Sequence, residues 1–280
     1  MNNIATLLTV YNRREKTLKC LKALADCSLP ENYAIDIYLV DDGCTDGTTE
    51  AVVEHFPQVN IIHGTGNLFW NRGMHLAWTT AVKTKDYDFY MWLNDDTILY
   101  PNAILELIET SESVNHQSII CGSTCATNDS SKITYGGRNN IETVIVPNGE
   151  KQICKYINGN ILLAPLYVYS IVGTNDPFFI HAVGDYDYGL RAHKLGINSI
   201  VTPNTLGICD DRSNFAAWCN TKTPVIKRLK LLYSPLGNHP IQFFVYENRH
   251  FGFVMACFHF FSLHLRAIFP VLWKNSKTGK

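Results

Sequence analysis

The sequence predicts an α/β domain in which a mainly parallel sheet is flanked by helices. Two observations carry this. Short apolar runs of strand length alternate with segments of helical periodicity, the pattern of βα units that build a parallel sheet. Three of the runs end in polar clusters, Tyr11-Asn12, Asp41-Asp42-Gly43 and Asn94-Asp95-Asp96, and such sheets bind ligands outside the carboxyl ends of their strands. A chain of 280 residues, 46% hydrophobic and 18% charged, buries on the order of 70–75% of its extended surface. Wholly disordered and collagen-like chains are thereby excluded.

The elements follow in order. Ile4–Val10 (IATLLTV) reads as a buried strand. Glu15–Ala25 carries Leu18, Leu21, Ala23 and Leu24 at helical spacing. Pro30 precedes a second strand, Ala34–Val40. Asp46-Gly47-Thr48-Thr49-Glu50 opens a helix with acids near its N-terminus, and Val59–Ile62 is a short strand after Pro57. Phe69–Val82 is helical, Asp88–Leu93 a further strand, and Pro101 opens the helix Asn102–Glu109. Between about Cys121 and Ile157 the pattern changes to short pieces among Gly and Asn turns, with strands expected at Ile119–Cys121, Lys132–Tyr135, Thr143–Val146 and Gln152–Tyr156. Gly159–Ala164, Pro165–Ile171, His181–Leu195 and Ile197–Val201 return to strand and helix. No repeat, low-complexity tract or flexible linker is visible, so the simplest division is one domain over 1–220 and an extension over 221–280.

Net charge is −1, which leaves no global basic field to draw the chain onto nucleic acid. The charge is uneven: from Asn220 onward there are nine Lys or Arg and one acid, Glu247, so tail and body are expected to meet different partners. Nine cysteines without a CxxC motif, behind an N-terminus lacking a secretory pattern, predict buried or free thiols in a reducing cytosol. Cys121 and Cys125 are spaced like two zinc ligands, but no Cys/His pair completes the set.

Known phosphate loops are absent: there is no GxxxxGK[ST], and Gly64-Thr65-Gly66-Asn67-Leu68-Phe69 lacks the third glycine of GxGxxG. No GxSxG elbow occurs. Asp95 and Asp96 are hard oxygen ligands suited to Mg2+ or Mn2+ that also holds substrate phosphates, or alternatively a plain turn. The Asp41–Gly47 loop has no Glu at the twelfth position of a calcium loop.

Taken together, four blocks resemble the family 2 glycosyltransferases, inverting enzymes of the Rossmann-like GT-A fold that use nucleotide sugars. These are Leu7–Arg13 (LLTVYNR), Leu39–Thr48 (LVDDGCTDGT), Trp92–Thr97 (WLNDDT) and Phe179–Ala192 (FIHAVGDYDYGLRA); they cover the chain from about residue 4 to 205, and the chain looks most like bacterial rhamnosyltransferase-like and polysaccharide-assembly members. The resemblance implies a nucleotide-sugar half over about 1–115 and an acceptor half over about 116–220. Asp41 would accept a hydrogen bond from a uracil or thymine N3–H, and Thr9 and Tyr11 would help hold base and ribose. Asp96, with Asp95, would hold Mg2+ or Mn2+ against the diphosphate. Asp185 matches the family's catalytic base. In the block Gly66–Gly73, Asn71, Arg72 and Gly73 fall among the donor-binding positions. The chain departs from the family pattern at Asn94, where many members have Asp, at Gly184, where many have Glu, and at Trp70, where many have an Arg that Arg72 would replace.

Several residues carry two readings. Asp187 either pairs with Arg191 one helical turn on or supports the acceptor. His181 is a core histidine or an acceptor contact, Trp70 a core residue or a sugar-stacking platform, and Gly73 a site of close backbone approach or of plain packing. The acceptor is expected to be a growing O-antigen or capsule glycan on undecaprenyl diphosphate, against a protein or soluble saccharide; a non-catalytic binding protein is the alternative from another class.

His250–Trp273 is apolar with Arg266 its one formal charge after Phe251. Arg249, Gly252, Ala256, His259, Ser262 and Arg266 form a small and polar stripe opposite Phe251, Phe258, Phe261, Leu265 and Phe269. With Lys227, Arg228 and Lys230 before it and Lys274, Lys277 and Lys280 after it, an amphipathic helix in an anionic leaflet is expected, ahead of a membrane span or packing on the domain or a second copy in a homo-oligomer. The expected location is cytoplasmic, on the inner membrane face.

Overall fold

The computed structural model describes residues 1–211 and 217–271. The strands are β1 (Asn2–Val10), β2 (Tyr33–Asp41), β3 (Asn60–His63), β4 (Phe89–Leu93), β5 (Ile98–Leu99), β6 (Ile119–Ala126), β7 (Asp129–Tyr135), β8 (Gln152–Cys154), β9 (Ile161–Pro165) and β10 (Ser199–Ile208). The helices are α1 (Arg14–Ala25), α2 (Thr48–His55), α3 (Phe69–Thr84), α4 (Ala103–Glu112), α5 (Leu166–Val172), α6 (Gly184–Lys194), α7 (Val225–Leu232), α8 (Pro240–Phe251) and α9 (Phe253–Ile268), with a 3-10 turn at Ala217–Cys219.

Among the described residues ten strands form one sheet, ordered β3-β2-β1-β4-β9-β6-β10-β5, with β7 on β6 and β8 on β10. The half β3-β2-β1-β4 is wholly parallel. Beyond it the sheet is mixed: β9 runs antiparallel between β4 and β6, and β6 and β10 are parallel. Parallelism therefore holds for the βα units of the first half, where each crossover is a helix, and ends where hairpin-like pieces begin. Three local expectations are corrected. Thr143–Val146 makes an isolated bridge, Arg138 to Val144, instead of a strand. α6 opens at Gly184, not His181. β10 runs on to Ile208 to pair with β5, a two-residue strand too short to leave a periodic signal.

Successive residues of the central strands face opposite layers. Ala5, Leu7, Tyr90 and Trp92 pack with Met74, Ala77 and Trp78 of α3 and Tyr188 of α6. Ile4, Leu8, Phe89, Met91 and Leu93 pack with Leu21 and Leu24 of α1 and Ile104 and Leu107 of α4. A strand buried on both faces reads as a continuous apolar run, which is why these strands are plain in the sequence. All nine cysteines are free thiols.

By their contacts the residues divide into two compact units, Met1–Pro177 with Asp185–Asp211, and Phe178–Gly184 with the described part of Arg212–Lys280. A short segment before α6 goes with the second unit. Within that unit Leu232, Leu263, Ala267 and Trp218 form a small core. Arg228 is buried and donates to the carbonyls of Thr223, Ala267 and Ile268, a cation capping the C-terminal end of α9. It was expected among the lysines that face a leaflet; burial assigns it to the fold instead.

The expected continuous helix from His250 is broken at Gly252, whose φ of 93° separates α8 from α9. Among the described residues no helix is long and apolar enough to cross a membrane. Leu272, Trp273, Lys274, Lys277 and Lys280 lie outside the described residues.

Gly73, inside α3, is required by packing: a Cβ there would collide with Thr9 Oγ1 and lie 2.7 Å from Thr9 Cβ. Gly73→Ala should lower stability by roughly 1–3 kcal/mol, the usual cost of overpacking, despite the better helix propensity of Ala. Chemical denaturation checks this; an unchanged midpoint would contradict the close approach of α3 to β1.

Candidate active site

β1, β2 and β4 are adjacent and parallel, so their carboxyl ends deliver three loops to one rim. The first two loops are joined by Asn12, whose left-handed φ of 51° aims Oδ1 at the Thr45 N–H, 2.7 Å away. Tyr11 stands out from the rim, 58% exposed. Thr9, beneath it, is half-buried against α3.

The adjacent acids Asp41 and Asp42 have different duties. Asp41 is 7% exposed; its Oδ1 accepts the Cys44 N–H at 2.7 Å and its Oδ2 the Thr49 hydroxyl at 2.6 Å. Burial pushes its carboxyl up, but the bonds from Thr49 and Cys44 outweigh this and hold it below its ordinary value. It is thus an ionised acceptor, with a second lone pair on each oxygen for a ligand N–H. Asp42 instead receives the backbone N–H groups of Gly66, Leu68 and Phe69 at 2.8–2.9 Å. It pins the turn that enters α3.

At the end of β4, Asp95 and Asp96 converge on one cation. Arg13 Nη1 lies 2.9 Å from Asp95 Oδ1 and 2.9 Å from Asp96 Oδ2. Lys16 Nζ is 3.9 Å from Asp96, and the Cys209 thiol points at Asp96 Oδ1 from 3.6 Å. Arg13 belongs to the LLTVYNR block, but no sequence signal tied it to acids more than eighty residues away. Two carboxylates that already grip a guanidinium nitrogen have the donor chemistry and convergence a divalent ion needs. Among the described residues no group of three or more His, Cys, Asp or Glu is placed to cage a metal.

Asn94 and Trp70, both departures from the family pattern, are partners. Trp70 Nε1 donates to Asn94 Oδ1 at 2.7 Å, and its ring meets Trp92 edge-on at 5.6 Å. A Cβ on Gly159 would collide with the Trp70 ring. Trp70 is therefore packed and hydrogen-bonded within the site floor.

Asp185 lies in the first turn of α6. Its Oδ2 accepts the Gly159 N–H at 3.2 Å and its Oδ1 the Tyr186 N–H at 2.9 Å. Burial pushes its carboxyl above the usual range, opposed by these bonds and one from Asn158. Asn160, in the same triplet, accepts the Asn94 N–H through its carbonyl and gives its side-chain N–H to Cys209. Asn158-Gly159-Asn160 therefore links Asp185 to the Asp95–Asp96 end. In the sequence the triplet's signal is a polar run ahead of an antiparallel strand. Such a strand begins where its parallel neighbours end.

The other expected residues divide. Asp187 is fully buried and pairs with Arg191 Nε at 2.8 Å, while Arg191 also bonds the Val172 and Thr174 carbonyls; this is the helix-pairing reading. Asn71 is fully buried and ties α3 to the loop after α5 through Asp176 and Asn175, a strut where a donor contact was expected. Arg72 Nε is bonded to the Pro177 carbonyl at 2.9 Å. His181 lies in the second unit.

Comparison with known proteins now adds to the geometry. A family model described as glycosyl transferase family 2 matches residues 6–166, more than half the chain and all of the rim except Asp185. Hyaluronan synthase of Streptococcus pyogenes is 28% identical over 113 residues, 38% of this chain and 26% of that protein. Poly-beta-1,6-N-acetyl-D-glucosamine synthase of Staphylococcus epidermidis is 28% identical over 109 residues, 39% of this chain and 25% of that one. The chain thus spans about a quarter of the length of these curated relatives. Among solved structures, S. aureus TarS superposes with a TM-score of 0.56 at 12% identity, covering 87% of this chain and 44% of that one. The mannosyltransferase PcManGT from Pyrobaculum calidifontis, in complex with GDP-Man and Mn2+, superposes at 0.56 and 12%, covering 98% and 76%. At such identities the likeness is one of fold, a central sheet flanked by helices. The sequence match carries the assignment: this chain belongs to glycosyl transferase family 2.

Proposed function

We propose that the chain is a metal-dependent inverting hexosyltransferase of polysaccharide assembly. It takes a sugar from a UDP-hexose or dTDP-rhamnose to a hydroxyl of a growing O-antigen or capsule glycan carried on undecaprenyl diphosphate. One observation carries the reading: the Asn158-Gly159-Asn160 triplet bonds Asp185 at one end and, at the other, the N–H of Asn94, the residue before the Asp95–Asp96 pair. The relatives add support by name, two being polysaccharide synthases, while related structures carry UDP in one case and GDP-Man with Mn2+ in the other.

In this reading residues 1–115 bind the nucleotide sugar and 116–220 the acceptor. Asp41 accepts the base N3–H, Thr9 and Tyr11 flank base and ribose, and Arg72 neighbours the diphosphate. Asp95 and Asp96 hold Mg2+ or Mn2+, which when bound neutralises charge on the leaving diphosphate. Asp185 takes the proton from the acceptor hydroxyl as its oxygen attacks the anomeric carbon. The leaving nucleoside diphosphate departs from the opposite face, inverting the centre. General-base help of this kind is worth roughly 10²–10⁴-fold.

Residues 221–280 serve as a membrane-associating surface on the inner leaflet. Val254, Phe258, Phe261 and Leu265 form one exposed apolar stripe along α9, Val254 being 82% exposed, and Phe269 just past its end is exposed too. Ile226, 72% exposed, adds to the apolar surface of the same unit. Lys222, Lys227 and Lys230 are exposed, and the sole acid from Asn220 onward, Glu247, is buried with His259 Nδ1 2.9 Å away. Exposed apolar area together with exposed lysines suits an anionic bilayer surface.

Three tests follow from this reading. Asp185→Asn should abolish transfer while keeping donor binding, measured as the shift in melting temperature with UDP or dTDP compounds and Mn2+; near-wild-type transfer would remove the base assignment. Because the base must be ionised and its carboxyl is raised, transfer should fall with decreasing pH before an ordinary carboxylate, near 3.9 in model peptides, would protonate. An acid limb at or below that value speaks against Asp185. Phe258→Ser with Phe261→Ser should weaken sedimentation with phosphatidylglycerol vesicles about tenfold or more, since one buried Phe is worth roughly 1.5–3 kcal/mol; unchanged partition would refute the surface.

A further inference from the structure

The carboxylate pair assigned above to a divalent ion is held by a cation belonging to the chain. Arg13 Nη1 touches Asp95 Oδ1 and Asp96 Oδ2 at 2.9 Å each. Carboxylate oxygens bind Mg2+ at about 2.0–2.1 Å. An ion on the same two oxygens would be a like charge pressed against this nitrogen at short range, where repulsion is strong in a partly buried site. Guanidinium and metal therefore exclude one another.

The way Arg13 is held favours displacement. Both bonds run through Nη1, so the planar fork that makes Arg–carboxylate pairs strong is not used. Among the described residues its Nε and Nη2 make no hydrogen bond, and the side chain keeps 30% of its exposure. The main chain around it is fixed: Asn12 is bonded to Thr45, the Arg14 N–H to Asp46, and the Arg13 carbonyl receives the Thr17 N–H. Movement is thus confined to side-chain torsions at the mouth of the rim, where the donor's diphosphate belongs. A diphosphate offers a guanidinium the bidentate partner that it lacks on the carboxylates.

We propose that Arg13 is the resident counter-ion of the Asp95–Asp96 pair, that a divalent ion enters by displacing it, and that the released guanidinium pairs with the donor's diphosphate. This rests on the donor-site reading of the proposed function. Its consequence is linkage: metal alone binds weakly, because Arg13 must leave without a new partner, and nucleotide and metal bind with positive coupling. Coupling between sites is commonly 5–150-fold and reciprocal.

The test is calorimetric titration of Mn2+ into the full chain, with and without saturating UDP or dTDP, with free Mn2+ read by electron paramagnetic resonance. Wild type should bind Mn2+ at least fivefold tighter when the nucleotide is present. Arg13→Gln should bind Mn2+ alone about tenfold tighter than wild type, and its nucleotide coupling should fall correspondingly. Arg13→Lys keeps the charge and serves if the glutamine variant fails to fold. It should retain weak metal-alone binding but lose coupling, since an ammonium cannot grip the diphosphate as a fork. Arg13→Gln that folds yet binds Mn2+ alone no tighter than wild type overturns the proposal and leaves the donor site intact. Wild type that binds the nucleotide but takes no Mn2+ in either condition overturns the metal reading itself, and the displacement with it.

Discussion

Burying carboxylates is the constraint around which this rim is built. An ionised acid removed from water needs hydrogen bonds or a counter-charge. Asp42 is satisfied by three backbone N–H groups, and that arrangement fixes the turn into α3. Asp187 is satisfied by Arg191, which in turn anchors the end of α5. Asp41 is held by a backbone N–H and a hydroxyl, and stays ionised with acceptor capacity to spare. Asp95 and Asp96 share a side-chain cation. Asp185 has neutral donors around it, so burial prevails and its carboxyl rises. The manner of neutralisation thus distinguishes Asp42 and Asp187, committed to the fold, from the other four.

Topology brings these solutions together. Three parallel strands end at the rim, and β9, inserted antiparallel beside β4, begins there. The residues just before β9 can therefore bond both the residue after β4 and the first turn of α6. No parallel strand in that place would present its amino end to the same rim. The change from parallel to antiparallel pairing is what lets one short triplet bond both the end of β4 and Asp185.

How far the sequence was legible follows from which contacts are local. β1 to β4 and their helices were readable because burial on both faces leaves continuous apolar runs. The pairing of Asp187 with Arg191 was readable because four residues make one helical turn. The different fates of Asp41 and Asp42 were not, since neighbouring residues of one type diverge only when the strand decides which way each points. Arg13 was visible as a residue and invisible as a partner, because its acids arrive through the β1–β4 pairing. Asn71 and Arg72 stood together in one motif, yet the helix turns Asn71 inward to a loop more than a hundred residues on. Gly252 looked like one more small residue in an apolar stretch, where its φ of 93° divides two helices.

The second unit shows why a count of charges is a poor guide to a surface. The fold sorts the excess of Lys and Arg after Asn220. Arg228 is withdrawn to close the carbonyl end of α9, and the Arg249 guanidinium lies over the Phe179 ring, 5.4 Å from its centre. Lys222, Lys227 and Lys230 remain exposed. Arginine, planar and weakly hydrated, is suited to burial against carbonyls and rings, whereas lysine holds its shell of water. The division follows from that difference. An apolar stripe facing solvent is costly unless something covers it, and on this unit solvent-facing lysines accompany it while the one acid is turned inward. That asymmetry, more than the hydropathy of the segment, favours an anionic surface as the cover.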